Sequence, residues 1–318
     1  MSVFENVINE ANKKNEVKDV TPESVEIADE GEGKKSFAER MAEKKNQCYA
    51  MIDDACLNSV SSVDNLRQFL NVQSRFDKYS LNNALLIFAQ KPDAVKVKDF
   101  DAWKKDDISI KKGAKSFMIL EPSPYKGTDG KMHRGYNAKN VFDISDVEAP
   151  EDAILQPKSY EQKQLVAALV HDAPVPVRKA EHSIGENDAI YDAKNKVVYF
   201  KAGLEFDTIF PAIAKALAHA EMAKDVENYR IGEHEFAARC SAFIISQRYG
   251  VDARTVDVYG IPKNIEAMEA EDVKKVLGDV HSNVKSITAR MNESLEQTHD
   301  KEQTQQSPNK GSKNREER

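Results

Sequence analysis

The segment Leu217-Ala218-His219-Ala220-Glu221-Met222-Ala223 lies on an apolar stretch with helical spacing that follows a hairpin pattern. Histidines at positions i and i+4 of a helix share one face and can both reach a tetrahedral metal, while an intervening glutamate polarises the bound water. This is the His-Glu-x-x-His arrangement of zinc peptidases. Read forward from His219, only its first histidine is present. Ala220 stands at the position of the general base and Ala223 at that of the second ligand; Glu221 is displaced by one residue, about 100° around the helix. The next helix offers Glu233-His234-Glu235 and Cys240, in no familiar ligand spacing. His219 with His234 or Glu235 forms at most a partial site, and a lone helix histidine beside an exposed polar turn is the plainer reading.

A second group of residues suits a different chemistry. Arg75, Tyr79, Lys96, Lys98, Trp103, Lys104, Lys111, Lys112, Lys115, Tyr125 and Arg134 set cations among flat side chains. Single-stranded nucleic acid asks for this combination, because cations follow the phosphates and every unstacked base offers a face to a ring. A solvated sheet face, with Phe100 and Trp103 as core, explains the same residues without any ligand. No Gly-x-x-x-x-Gly-Lys loop, Gly-x-Gly-x-x-Gly turn or Gly-x-Ser-x-Gly elbow occurs, so phosphate-loop, dinucleotide and serine-hydrolase chemistries lack a motif.

The elements that must position these residues follow from composition and periodicity. With 318 residues, 40% apolar and 31% charged, the chain is long enough for two domains. No apolar run reaches the roughly 20 residues of a membrane span, and the acidic start is unlike a signal peptide, so a cytoplasmic location is expected. Cys48, Cys56 and Cys240 are expected to be free thiols. The net charge of −7 argues against coating duplex DNA by overall positive charge, but the charge is uneven. Residues 1–35 hold nine acids and five bases, whereas 91–139 hold twelve Lys/Arg and seven Asp/Glu.

An acidic leader, 1–36, and a tail, 296–318, without aliphatic or aromatic residues are expected to be disordered. Between them, helical spacing appears over Phe37–Cys56, from Val63, and from Ser80 as N-cap to a stop at Pro92. Short strand-like runs follow at Val95–Val97, Ile108–Ile110, Phe117–Leu120 and Asn140–Ile144, with a Gly/Lys-rich loop at Lys126–Tyr136. The second segment, 155–295, predicts a helix at Tyr160–His171, a hairpin of Ala189–Asp192 and Lys196–Phe200, then helices at Thr208 to about Val226, Glu233–Tyr249 closed by Gly250, and Ala270 to about Leu295. The expected class is α+β: N-terminal helices with a small antiparallel sheet over 37–147, then a mainly helical domain with a β-hairpin.

The order of motifs resembles a known family. Tyr79-Ser80-Leu81-Asn82-Asn83-Ala84-Leu85-Leu86-Ile87-Phe88-Ala89-Gln90-Lys91-Pro92, Phe100-Asp101-Ala102-Trp103, Ile110 to Pro122 and Asn140 to Ser145 are similar to the single-stranded-DNA-binding domain of ArdC-like antirestriction proteins. The second segment resembles that family's zinc-metallopeptidase-like domain, with His219 where the histidine motif would lie and Arg239 in the place of a glutamate ligand. The resemblance implies a single-stranded-DNA-binding protein of a mobile element, related to antirestriction, conjugation or phage. It implies a peptidase-like domain that is not an enzyme and needs no cofactor. Arg75, Lys98, Lys111, Lys112 and Lys115 would contact phosphates, Tyr79 and Trp103 would stack on bases, and Asn82 and Asn83 would bond sugar or backbone; no metal site is expected, with His219 vestigial. The expected partners are single-stranded DNA and a protein bound by the second domain, with no membrane. The alternatives are an interaction or regulatory module without DNA binding, and a metallopeptidase with a rearranged zinc site.

Overall fold

The computed structural model describes residues 36–150 and 159–306, apart from 225, 257 and 259. The leader at 1–35, part of the linker, and the tail from 307 lie outside the described residues. Three helices open the chain: α1 (Phe37–Ser59), α2 (Val63–Arg75) and α3 (Leu81–Gln90). Ser62 and Ser80 cap α2 and α3, their hydroxyls accepting from the amides of Asn65 and Asn83, which satisfies donors that a helix start leaves orphaned.

A three-stranded antiparallel sheet follows, ordered β1 (Val97–Lys98), β5 (Tyr136–Asp143), β2 (Phe117–Pro122). The short helix α4 (Phe100–Lys105) is capped by Asp99. The sheet's outer strand β2 does not present a bare edge. Asn83 of α3 donates to the Leu120 carbonyl at 2.9 Å and accepts from the Leu120 amide at 2.8 Å. Gln90 makes the same pair of bonds with Met118, at 2.8 and 2.9 Å. Seven helical residues rise about 10 Å while two strand residues rise about 7 Å, and the longer arm of Gln90 spans the difference. Two side-chain amides thus stand in for a neighbouring strand.

Two expectations change here. Ile108–Ile110 contributes a single bridge, Ile110 to Val147, and no strand, because Asp106 and Asp107 end α4 just before it with a left-handed residue, φ 59° at Asp107. The Gly/Lys-rich loop is a two-stranded hairpin of β3 (Tyr125–Lys126) and β4 (Met132–His133).

In the second segment, α5 (Gln162–Val170) precedes a sheet ordered β6 (Val177–Lys179), β8 (Val197–Phe200), β7 (Ala189–Asp192). The β7–β8 hairpin is antiparallel as expected; β6, parallel to β8, follows Pro174 and Pro176 and carries no alternating pattern to announce it. Helices α6 (Phe206–Met222) and α7 (Ile231–Arg248) pack against each other, and Gly250 at φ 71° closes α7. After the single turn α8 (Lys263–Glu266) comes α9 (Ala270–Gln306). This helix passes Leu295 and occupies 296–306, where composition predicts a disordered tail. A helix already nucleated against the core extends through Glu, Gln and Lys without needing an apolar face.

One buried cluster runs from Cys48 and Leu66 through Leu217 and Ile244 to Leu295. Arg248 at the end of α7 donates to the carbonyls of Gln73 (3.0 Å) and Ser74 (3.2 Å) at the end of α2, and to Thr288 of α9 at 3.1 Å. It supplies donors to helix-end carbonyls that have none of their own. All three cysteines are buried free thiols, and burial pushes Cys56 up to about 11 and Cys240 up to about 12, which makes them poor nucleophiles. No described helix is long and apolar enough to cross a membrane.

Candidate functional site

Helix α6 carries His219 into a buried position, 3% exposed. Both ring nitrogens are engaged: Nδ1 lies 2.7 Å from the Tyr229 hydroxyl and Nε2 lies 2.9 Å from Oε2 of Glu235 on α7. An ionised carboxylate only accepts, so Nε2 carries a proton and donates. The other carboxylate oxygen of Glu235 accepts from Lys215 Nζ at 3.0 Å, with Arg239 Nε at 3.8 Å. Burial pushes the Glu235 carboxyl up, but the His219 bond and the charge and bond of Lys215 outweigh it and hold the group down at about 2. Tyr229 stacks on His234, with ring centroids 4.7 Å apart. Burial raises its hydroxyl pKa, and Tyr191 and Glu235 nearby add to this.

The partner of His219 on its own helix face is therefore Lys215, four residues before it. Ala223, four residues after it, is the C-cap of α6. Glu221 points elsewhere, accepting from Ser286 (3.1 Å) and Arg290 of α9. Lys215-Ala216-Leu217-Ala218-His219 thus has the i, i+4 spacing of a metal-binding helix, with an ammonium at the first ligand position and a methyl at that of the general base. These residues do not fit a divalent metal. Lys215 and Arg239 set positive charge against Glu235, which opposes a cation beside it, and His219 Nε2 and Glu235 are already bonded to each other. Among the described residues no three His, Cys, Asp or Glu side chains are grouped to hold a metal ion. Beside the cluster, Asn187, Asp188, Thr208, Pro211, Lys215 and Arg239 line a cavity of about 220 Å³.

The basic face has a different composition from the one expected. Trp103 is fully buried against Ile144 and Val147, its Nε1 donates to the Phe142 carbonyl at 3.0 Å, and the Lys98 ammonium covers its ring at 5.2 Å. It has no face to offer a base, which corrects its assignment as a stacking residue. Asn83 is buried and consumed by Leu120, so it is a structural residue and not a sugar contact. Tyr79 is half-buried, packed edge-on against Phe76, with its hydroxyl 3.4 Å from the Val97 carbonyl. Arg75 donates to the carbonyls of Ala94 (3.0 Å) and Pro92, and Lys98 is paired with Asp106. Asn82 is half-buried at the start of α3.

Three more acids of this face are ion-paired, while Asp93, Asp101 and Asp107 stay exposed. Lys139 lies 2.7 Å from both Asp99 and Glu121, and Lys91 lies 2.6 Å from Asp146. Lys104, Lys105, Lys111, Lys112 and Lys115 are left exposed, with Lys111 Nζ donating to the Ser145 carbonyl at 3.0 Å.

No family model and no curated protein matches the chain. Solved structures do, among them two crystal structures of the antirestriction protein ArdC from plasmid R388. The Mn(II)-bound form aligns at TM-score 0.53 and 10% identity over 78% of this chain and 97% of that one. The metal-free form aligns at TM-score 0.44 and 12% identity, covering 68% and 85%. The chain has the ArdC fold.

Within this ArdC-like fold, sequence reasoning missed Lys215 and Tyr229. Lys215 was legible in principle, since i−4 shares the helix face with His219 as well as i+4 does. Tyr229 follows α6 in an irregular turn, and no periodicity connects it to the helix it contacts.

Proposed function

We propose that this ArdC-like chain is a single-stranded-DNA-binding protein of a mobile element, whose second segment does not hydrolyse peptides. One observation supports the first part: Lys104, Lys105, Lys111, Lys112 and Lys115 are exposed on a chain of net −7, where Asp99, Asp106, Glu121 and Asp146 are ion-paired with other lysines and three acids of the stretch, Asp93, Asp101 and Asp107, stay exposed. Such a local surface follows phosphates without reading sequence. The second part rests on Lys215, Ala216 and Arg239, which remove two ligand positions and the base. The segment then serves as scaffold and as a protein-binding surface, with the cleft beside Arg239 as the place it offers to a partner.

The test is anisotropy of a labelled single strand titrated with the full chain at two salt concentrations, with duplex as competitor. Reversing the charge at Lys111, Lys112 and Lys115 together is expected to lower affinity and to flatten its salt dependence by about 2 in log–log slope, at roughly 0.7 for each phosphate no longer neutralised. Unchanged affinity and slope would remove these lysines from the interface.

A further inference from the structure

We infer that the β3–β4 hairpin is the base-stacking arm of the nucleic-acid surface, with Tyr125 as its principal platform and Tyr136 beside it; this rests on the single-strand reading above. Trp103 is buried and Tyr79 is half-buried and packed edge-on against Phe76, so the two residues expected to stack are wholly or partly covered. The exposed Phe and Tyr rings among the described residues are Phe37, Tyr125, Tyr136 and Phe100, the last read as core from the sequence but 54% exposed at the start of α4. Of the nine large apolar side chains that are exposed among the described residues, three sit on or next to this hairpin: Tyr125 (56%), Met132 (66%) and Tyr136 (37%).

The hairpin holds its rings in place without burying them. Tyr125 pairs with His133 across the strands, and the two rings stack with centroids 5.5 Å apart and planes 24° apart. Two glycines make this possible. A Cβ at Gly135 would fall 3.0 Å from the Tyr125 ring and 2.5 Å from the Ser123 carbonyl; one at Gly127 would fall 2.5 Å from the His133 ring. Asp129 fixes the imidazole from the turn, 2.9 Å from its Nε2. Ladder bonds from Ser123 to Gly135 and from Gly127 to Lys131, both 2.8 Å, keep the arm straight.

Charge complements a polyanion here. Between Ser123 and Asn137 the chain carries Lys126, Lys131 and Arg134 against the single acid Asp129, which is already paired with His133. A fixed, half-open ring flanked by cations is what a stacked base on a tracked backbone requires. An aromatic cover for a strand glycine is the competing explanation of the Tyr125–Gly135 contact. A leucine would still cover the glycine but would offer no ring.

The full chain is titrated into a fluorescein-labelled thymidine oligonucleotide of about 20 nucleotides and into an abasic strand of the same length. Tyr125→Leu is expected to weaken binding to the thymidine strand about tenfold, the effect of one stacked base, with unchanged salt slope and unchanged binding to the abasic strand. Tyr125→Trp is expected to keep the affinity. Because Trp103 is the only native tryptophan and is buried, the exposed indole of Y125W should be quenched by the thymidine strand and not by the abasic one. Wild-type binding with Tyr125→Leu within twofold of it, or Y125W emission indifferent to bases, overturns the hairpin's role and leaves the lysine surface standing. Absence of wild-type binding at low salt overturns both.

Discussion

Replacing Glu235 by glutamine isolates the electrostatics of the Lys215–Glu235–His219 cluster. In the folded chain this carboxyl is held from its ordinary 4.5 down to about 2. A depressed pKa stabilises the fold above the unfolded value and ceases to do so as pH falls toward the folded value, so the relevant window runs from pH 4.5 down to about 2. The full displacement corresponds to about 3 kcal/mol at roughly 1.4 kcal/mol per pH unit. Glu235 keeps 32% of its side-chain surface in water, and screening reduces the expected contribution to about 1–2 kcal/mol. Urea unfolding of wild type and Glu235→Gln at about pH 6 and about pH 2.5 reads this directly. The wild type should be the more stable by about 1–2 kcal/mol at the higher pH, and the two should converge at the lower. The difference between the proteins cancels the titrating groups that do not touch residue 235. Equal losses on acidification would refute the view that Lys215 and His219 hold an ionised Glu235 in the structure.

Three further outcomes are expected. Purified protein should carry no stoichiometric zinc or manganese by elemental analysis; stoichiometric metal that disappears in His219→Ala would revive a hydrolytic reading. Trp103→Phe removes the indole's bond to the Phe142 carbonyl and part of a fully buried ring, and should cost about 1–3 kcal/mol in urea unfolding. Under native conditions its affinity for a single strand should be unchanged, and a selective loss of binding would contradict the buried placement. Asn83→Ala orphans both Leu120 backbone groups and should cost about 2–4 kcal/mol by the same measurement; a loss under about 0.5 kcal/mol would show that water replaces the amide there.

What the sequence disclosed depended on whether the signal was local. Ser80, Pro92 and Gly250 mark helix ends through their own conformational preferences, and the structure uses Ser80 and Gly250 as caps. The β7–β8 hairpin followed from alternation around Ala193-Lys194-Asn195. Trp103 misleads because a ring among lysines looks the same whether the lysines carry it to solvent or fold over it, and only its bond to Phe142, 39 residues away, decides between them. Lys215 stays hidden for a simpler reason: the histidine motif runs C-terminally from its first member, and His219 reads as that member. The Glu235 contact that joins Lys215 to His219 is a tertiary fact.

The amide pairing of Asn83 and Gln90 with β2 bears on how many copies could act together. A sheet with an open outer edge can be continued by the next molecule, and a filament so built would coat a strand cooperatively through main-chain bonds. Here Leu120 and Met118 have both their groups answered from within the same chain, so β2 has no vacancy at these two residues for a neighbour to fill. A second copy could continue the sheet at β2 only by first displacing Asn83 and Gln90.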